Sequence, residues 1–227
     1  MRIALVSDCE GNARALEAAL VAMRSTSPDL IVHAGDILRC PFSPEPPGET
    51  IALLRAEGIV AVLGNHDRYL ADWGTARWPS TQWMRFRRSD PVGSWFTRIP
   101  DGQALLAPAD LRWLRDQPEE LVLGDGVYVC HGSPGNPWNS IWPRHPTYDG
   151  NVSDMDRDAS LAMLAERDVE LALCGHVPEP WEYRDRLPNG RELRVVRAGA
   201  RSEGRVGYAI ITGRRGAWQV DWGDASY

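Results

Sequence analysis

Arg2-Ile3-Ala4-Leu5-Val6-Ser7-Asp8-Cys9-Glu10-Gly11-Asn12 is the stretch whose reading decides the fold. Arg2–Ser7, with the bulky apolar run Ile3 to Val6 at its centre, reads as a buried strand. It breaks into polar, glycine-bearing chain at Ser7-Asp8-Cys9-Glu10-Gly11. A helical pattern then follows in Ala15, Leu16, Ala19, Leu20 and Met23, ending before Pro28. The unit repeats. Leu30–His33 is a second strand leading into Gly35-Asp36, Thr50–Glu57 is a helix, and Ile59–Leu63 is a third strand entering Gly64-Asn65-His66-Asp67. This alternation predicts parallel pairing with right-handed crossovers in an α/β fold.

The apolar runs share what comes after them. Asp8-Cys9-Glu10, Gly35-Asp36, Gly64-Asn65-His66-Asp67, His131-Gly132 and Gly175-His176 are all built from metal-ligand residues. The pattern places carboxylate, amide and imidazole groups at the C-terminal ends of several strands, where open α/β sheets gather their ligands. Oxygen and nitrogen donors without a thiolate suit Mn²⁺, Fe²⁺ or Zn²⁺. The chemistry implied is metal-assisted hydrolysis.

Downstream the pattern changes. The loop Cys40–Gly48 holds four prolines and crosses the surface without regular structure. Arg68 to Asp101 carries Trp73, Trp78, Trp83 and Trp95 among Arg, Ser and Pro without a clean period. Its tryptophans either fill core or form a lid that stacks on an aromatic group. Ala109–Asp116 is a helix. Leu121–Leu123 and Val127–His131 pair around Gly124-Asp125-Gly126. Ser153 N-caps a helix running to about Arg167, and Glu170–Cys174 is the next strand. Trp181–Arg186 with Glu192–Arg197, and Tyr208–Thr212 with Ala217–Trp222, form two late hairpins. With no repeat and no linker, one domain over residues 1–227 is expected.

Composition narrows the classes. A chain of 227 residues with 43% hydrophobic content can bury one sizeable core. The net charge of −6, carried against basic residues that are all Arg, argues against a nucleic-acid groove. No signal peptide and no membrane-length apolar run is visible. Cys9, Cys40, Cys130 and Cys174 lack CxxC spacing and read as free thiols in a reduced cytoplasm.

With all five motifs in order, the chain resembles the calcineurin-like metallophosphoesterases. It is most similar to the small bacterial phosphodiesterase branch opening with Ser-Asp-x-His-Gly-Asn. Ser7-Asp8-Cys9-Glu10-Gly11-Asn12 matches that opening except at one residue. His33-Ala34-Gly35-Asp36, Gly64-Asn65-His66-Asp67 and His131-Gly132-Ser133-Pro134 match well, and Gly175-His176 half matches a Gly-His-x-His motif. The resemblance implies a four-layer αββα sandwich with mixed sheets and a two-metal site. Asp36 would bridge both ions, with Asn65, His131 and His176 completing one position. The other position takes Asp8 and two histidines, which here are Glu10 and Pro178. That position becomes oxygen-rich (Asp8, Glu10, Asp36 and Glu179 within reach), which favours harder ions such as Mn²⁺, Mg²⁺ or Ca²⁺. One or two ions per chain are therefore expected, Mn²⁺ first, with Fe²⁺, Zn²⁺ or Mg²⁺ as alternatives.

The resemblance and the residues' own positions give the remaining roles, Arg39 by its place three residues after Asp36. His66 is the general acid of a hydrolysis by metal-activated water, and Arg39 and Asn12 are candidate contacts to the substrate. Asp67 either orients His66 or pairs with Arg68; His33 and His145 are structural. A small phosphodiester, with nucleotides among the candidates, is the expected substrate, without a membrane partner. The loss of two ligands at one position sustains a rival reading, a weakly active or non-catalytic binding protein of the same fold. Oligomeric state has no sequence signal.

Overall fold

The structure, a computed structural model, describes residues 1–78, 97–139, 154–177, 179–199, 201–202 and 204–227. β1 (Arg2–Val6) pairs in parallel with β2 (Leu30–His33), and β2 with β3 (Val60–Ala61). On its other side β1 pairs antiparallel with β10 (Arg205–Arg214), which continues into β11 (Ala217–Ser226); β9 (Arg201–Ser202) joins β10. The second sheet runs β4 (Glu120–Gly124), β5 (Val127–Cys130), β6 (Leu171–Cys174), β8 (Glu192–Arg197) and β7 (Trp181–Arg186). Its centre, β5-β6-β8, is parallel and its two edges are antiparallel hairpins.

Period-two alternation sorts the strand residues into layers. Ile3, Leu5, Val32, Ala209 and Ile211 of the first sheet share one buried cluster with Val127, Val129, Leu171, Leu173 and Val196 of the second. Ala4, Val6 and Ala61 point the other way. They bury Leu16, Leu20 and Met23 of α1 (Ala13–Arg24) and Ile51 and Leu54 of α2 (Pro47–Ala56). Tyr128, Ala172 and Val195 likewise cover Leu161 and Leu164 of α6 (Asp154–Glu166). This is the expected αββα sandwich. Each fully buried aliphatic side chain contributes about 1.5–3 kcal/mol, so the two outer cores fix both helical layers against the sheets.

Local chemistry explains the boundaries that differ from expectation. α2 starts at Pro47 rather than Thr50, because proline fits the first helical turn, where its missing N–H loses nothing. The third strand is only Val60–Ala61, since Leu63 N–H leaves the sheet and donates to Pro118 O at 2.8 Å. α3 (Asn65–Asp72) begins inside the Gly64-Asn65-His66-Asp67 motif, and Ile99–Ala104 forms an unanticipated α4 ahead of α5 (Pro108–Asp116). β10 and β11 are ten residues each, longer than the hairpin read from sequence. Trp73 and Trp78 pack on the first outer core with ring centroids 4.5 Å apart, as core filling. Trp83, Trp95, His145, Ser153 and Pro178 lie outside the described residues. All four cysteines are buried. No helix among the described residues is long and apolar enough to cross a membrane.

Candidate metal centre

The loops after β1 and β2 are zipped together by backbone bonds. Asp8 N–H donates to Gly35 O at 3.0 Å, Glu10 N–H to Asp36 O at 3.0 Å, and Gly11 N–H to Ile37 O at 2.7 Å. The zipper holds Asp8, Glu10 and Asp36 at φ of 55°, 49° and 51°, and His176 on the facing sheet sits at 69°. Left-handed backbone at non-glycine residues costs about 1–3 kcal/mol each and persists where the surroundings impose it. Two glycines are required by space. A Cβ on Gly64 would lie 2.1 Å from Asp36 Oδ1, and one on Gly35 would lie 2.6 Å from His131 Nδ1.

The side chains then converge. Asp8, Asp36 and His131, all buried, present ligand atoms within 4.8 Å of one another. His131 Nε2 lies 3.3 Å from Asp36 Oδ2 and 3.1 Å from Asn65 Oδ1, and His176 Nδ1 lies 2.9 Å from the same Asn65 oxygen. His176 N–H donates to Asp8 Oδ2 at 3.2 Å, and His66 N–H to Asp36 Oδ1 at 2.9 Å. A sixth contact settles the protonation of His131. His131 Nδ1 lies 2.7 Å from Ala34 O, a carbonyl that can only accept, so Nδ1 carries a proton. In the neutral ring, Nε2 is then a lone pair facing two oxygen acceptors. Such a set is stable only with a second proton on His131 or with a cation among the acceptors.

The protonation equilibria say the same thing. Burial pushes His131 down, but the charges of Asp36 and Asp8 outweigh it and raise the imidazole to about 10. Burial also opposes the Asp36 carboxylate, yet His131 and the other nearby imidazoles hold it below the ordinary range. Asp8 is raised to about 7, chiefly by burial, with the Asp36 and Glu10 charges adding to it. Without a cation the pocket therefore holds protons at neutral pH, in the places a divalent ion would take over.

His66 is half-buried and accepts the Cys40 N–H at Nδ1 at 3.1 Å, which leaves the proton of the neutral ring on Nε2. Glu10 stays outside the 4.8 Å group, with Oε2 4.0 Å from Arg39 NH1. Asn12 caps α1, its Oδ1 accepting Ala15 N–H at 2.8 Å, which leaves only its Nδ2 for a substrate. Glu179 is exposed and also outside the group. Asp67 takes neither of its expected roles. Its buried carboxylate accepts the N–H groups of Gly64 at 2.8 Å, Ile37 at 3.0 Å and Leu38 at 2.8 Å, so it ties the Asp36 turn to the start of α3. Arg68 pairs instead with Asp72 and Glu119, both at 2.6 Å. His33 is wholly buried, neither ring nitrogen has a partner among the described residues, and burial lowers it to about 3.

Sequence reasoning missed the Ala34 carbonyl and the Cys40 amide. Both are backbone groups, and no residue type advertises them. Asp67 had a signal in its three-residue offset from Gly64, the spacing at which a side chain reaches back to a helix start.

Fold and donor set together define a two-sheet α/β protein with a buried cluster of oxygen and nitrogen donors, Asp8, Asp36 and His131, that could hold a cation. A family model described as calcineurin-like phosphoesterase matches residues 1–180, and the chain belongs to that family. Among solved structures, a hypothetical protein from Pyrococcus horikoshii superposes with a TM-score of 0.69 at 19% identity, covering 100% of this chain and 88% of its own. A metallophosphoesterase from Sphaerobacter thermophilus gives 0.65 at 24% identity, covering 100% and 89%. At these identities the likeness is one of fold. The glutamyl-Q tRNA(Asp) synthetases of Burkholderia mallei and Burkholderia pseudomallei are each 27% identical over 138 residues, 57% of this chain. The match spans 46% of those proteins' length.

Proposed function

We propose that this protein is a metal-dependent phosphoesterase acting on small phosphodiesters, nucleotides among them, with Mn²⁺ as the resident ion. The observation that carries the reading is the meeting of Asp36 Oδ2, Asn65 Oδ1 and His131 Nε2, two oxygen acceptors and a ring nitrogen between which a cation can take the place of the Nε2 proton. Asp8, Asp36, Asn65, His131 and His176 are the residues that would hold the ion, with Glu10 beside them. When bound, it supplies Lewis acidity toward a phosphoryl oxygen and acidifies water in the site. His66 donates the proton to the leaving oxygen from Nε2, the nitrogen that the Cys40 amide leaves protonated. Arg39, exposed three residues beyond Asp36, offers guanidinium N–H groups to the phosphate, and Asn12 offers Nδ2.

A second reading, a binding protein of the same fold, is favoured by one observation: the Glu10 carboxylate turns toward Arg39 rather than into the ligand group. Turnover separates the two. Purified protein with Mn²⁺ hydrolyses bis-p-nitrophenyl phosphate, and Asp36→Asn cuts the rate at least about 100-fold. No turnover with Mn²⁺, Fe²⁺, Zn²⁺ or Mg²⁺ would refute the enzyme and leave the binding protein.

A further inference from the structure

We infer that the centre takes a single divalent ion, and that Glu10 acts outside the ligand set as the residue that positions Arg39 over the phosphate. This rests on the phosphoesterase reading given above and assigns two of its residues. Among the described residues the convergent donors form one group: Asp8, Asp36 and His131 within 4.8 Å, with Asn65 bridging His131 and His176 at 3.1 and 2.9 Å. Glu10 is next to that group in the chain, its N–H fixed on Asp36 O, yet its carboxylate ends 4.0 Å from Arg39 NH1. Residue 178, two beyond His176, is a proline with no donor side chain.

Charge favours the same arrangement. Two carboxylates, Asp8 and Asp36, balance one divalent ion. A third carboxylate left bare would make the pocket net negative and repel a phosphodiester anion. Paired with Arg39, Glu10 is neutralised, and the guanidinium supplies the second positive group that the developing charge on phosphorus needs. The backbone aims it. Arg39 N–H is held by Ser43 Oγ at 3.2 Å, and the peptide N–H that follows Arg39, that of Cys40, is the one bonded to His66 Nδ1. One short loop therefore sets both the cation for the phosphate and the proton donor for the leaving group.

Metal content and kinetics test this separately. After equilibrium dialysis against Mn²⁺, elemental analysis gives one ion per chain in the wild type, in Glu10→Gln and in Arg39→Ala. Arg39→Ala raises KM for bis-p-nitrophenyl phosphate about tenfold, Arg39→Lys recovers part of it, and Glu10→Gln raises KM about threefold. The double variant is no worse than Arg39→Ala, because Glu10 works through Arg39. Two ions in the wild type, one of them lost in Glu10→Gln, would overturn the inference while leaving the hydrolase standing. Multiplying KM effects, or an unchanged KM in Arg39→Ala, would also overturn it. A chain that binds no ion would remove both readings together.

Discussion

Binding of Mn²⁺ should be steeply pH-dependent, because the ion must displace protons held on its own ligands. Those protons sit on His131, raised to about 10, and on Asp8, raised to about 7. A metal that needs both groups deprotonated gains affinity with pH by one factor of ten per displaced proton per pH unit. Below pH 7 both protons are displaced, and between about 7 and 10 only that of His131. From pH 6 to pH 8 the dissociation constant should fall by about 1000-fold, equivalent to about 4 kcal/mol. Titration calorimetry at each pH, in two buffers of different ionisation enthalpy, counts the protons released: about two at pH 6 and about one at pH 8. In Asp8→Asn the same pH change should yield only about 100-fold, since one of the two titrating ligands is gone. An affinity that moves less than tenfold between pH 6 and 8 would show that His131 and Asp8 hold no displaceable protons. Asp36, Asn65 and His131 would then not converge on a cation.

The remaining expectations concern single side chains. His66→Ala should lower kcat at least about 100-fold on a diester with an alkoxide leaving group, and less than about tenfold on a p-nitrophenyl ester, whose phenolate leaves without a proton; equal losses on both would deny His66 the acid role. His33 is held neutral by burial, with its folded pKa, about 3, below the unfolded value of 6.5, so the unfolded chain takes up its proton first as pH falls. Stability from this residue is complete above about 6.5 and declines toward 3, so His33→Leu should remove about 3 kcal/mol of acid destabilisation between pH 6.5 and 4, read by denaturant unfolding at each pH. Gly64→Ala puts a methyl 2.1 Å from Asp36 Oδ1 and 2.2 Å from its backbone nitrogen; Mn²⁺ affinity should drop at least about tenfold, with a lower Tm.

The sequence was most legible where apolar runs met ligand residues. Ile3–Val6, Leu30–His33 and Leu171–Cys174 announced themselves by bulk, and the hairpin Trp181–Arg186 with Glu192–Arg197 by its Asn-Gly turn. α3 was hidden, because Asn65-His66-Asp67-Arg68 is polar throughout and is held as a helix by the Asp67 carboxylate and by packing rather than by an apolar stripe. The third strand was overread, since a run of bulky residues does not say where backbone pairing stops.

Residue type and order alone determined which groups could bind a cation and that they lie at strand ends, because hydrophobic periodicity and donor chemistry are local properties of the chain. Tertiary structure alone decided which of them meet. Asp8 and His176 are 168 positions apart, and their contact depends on two sheets closing face to face. The proton on His131 is set by the carbonyl of Ala34, 97 residues away, and the direction of Glu10 by a loop zipped to its neighbour. These are matters of distance and angle between separate strands, and a linear sequence carries them only through the fold it forms.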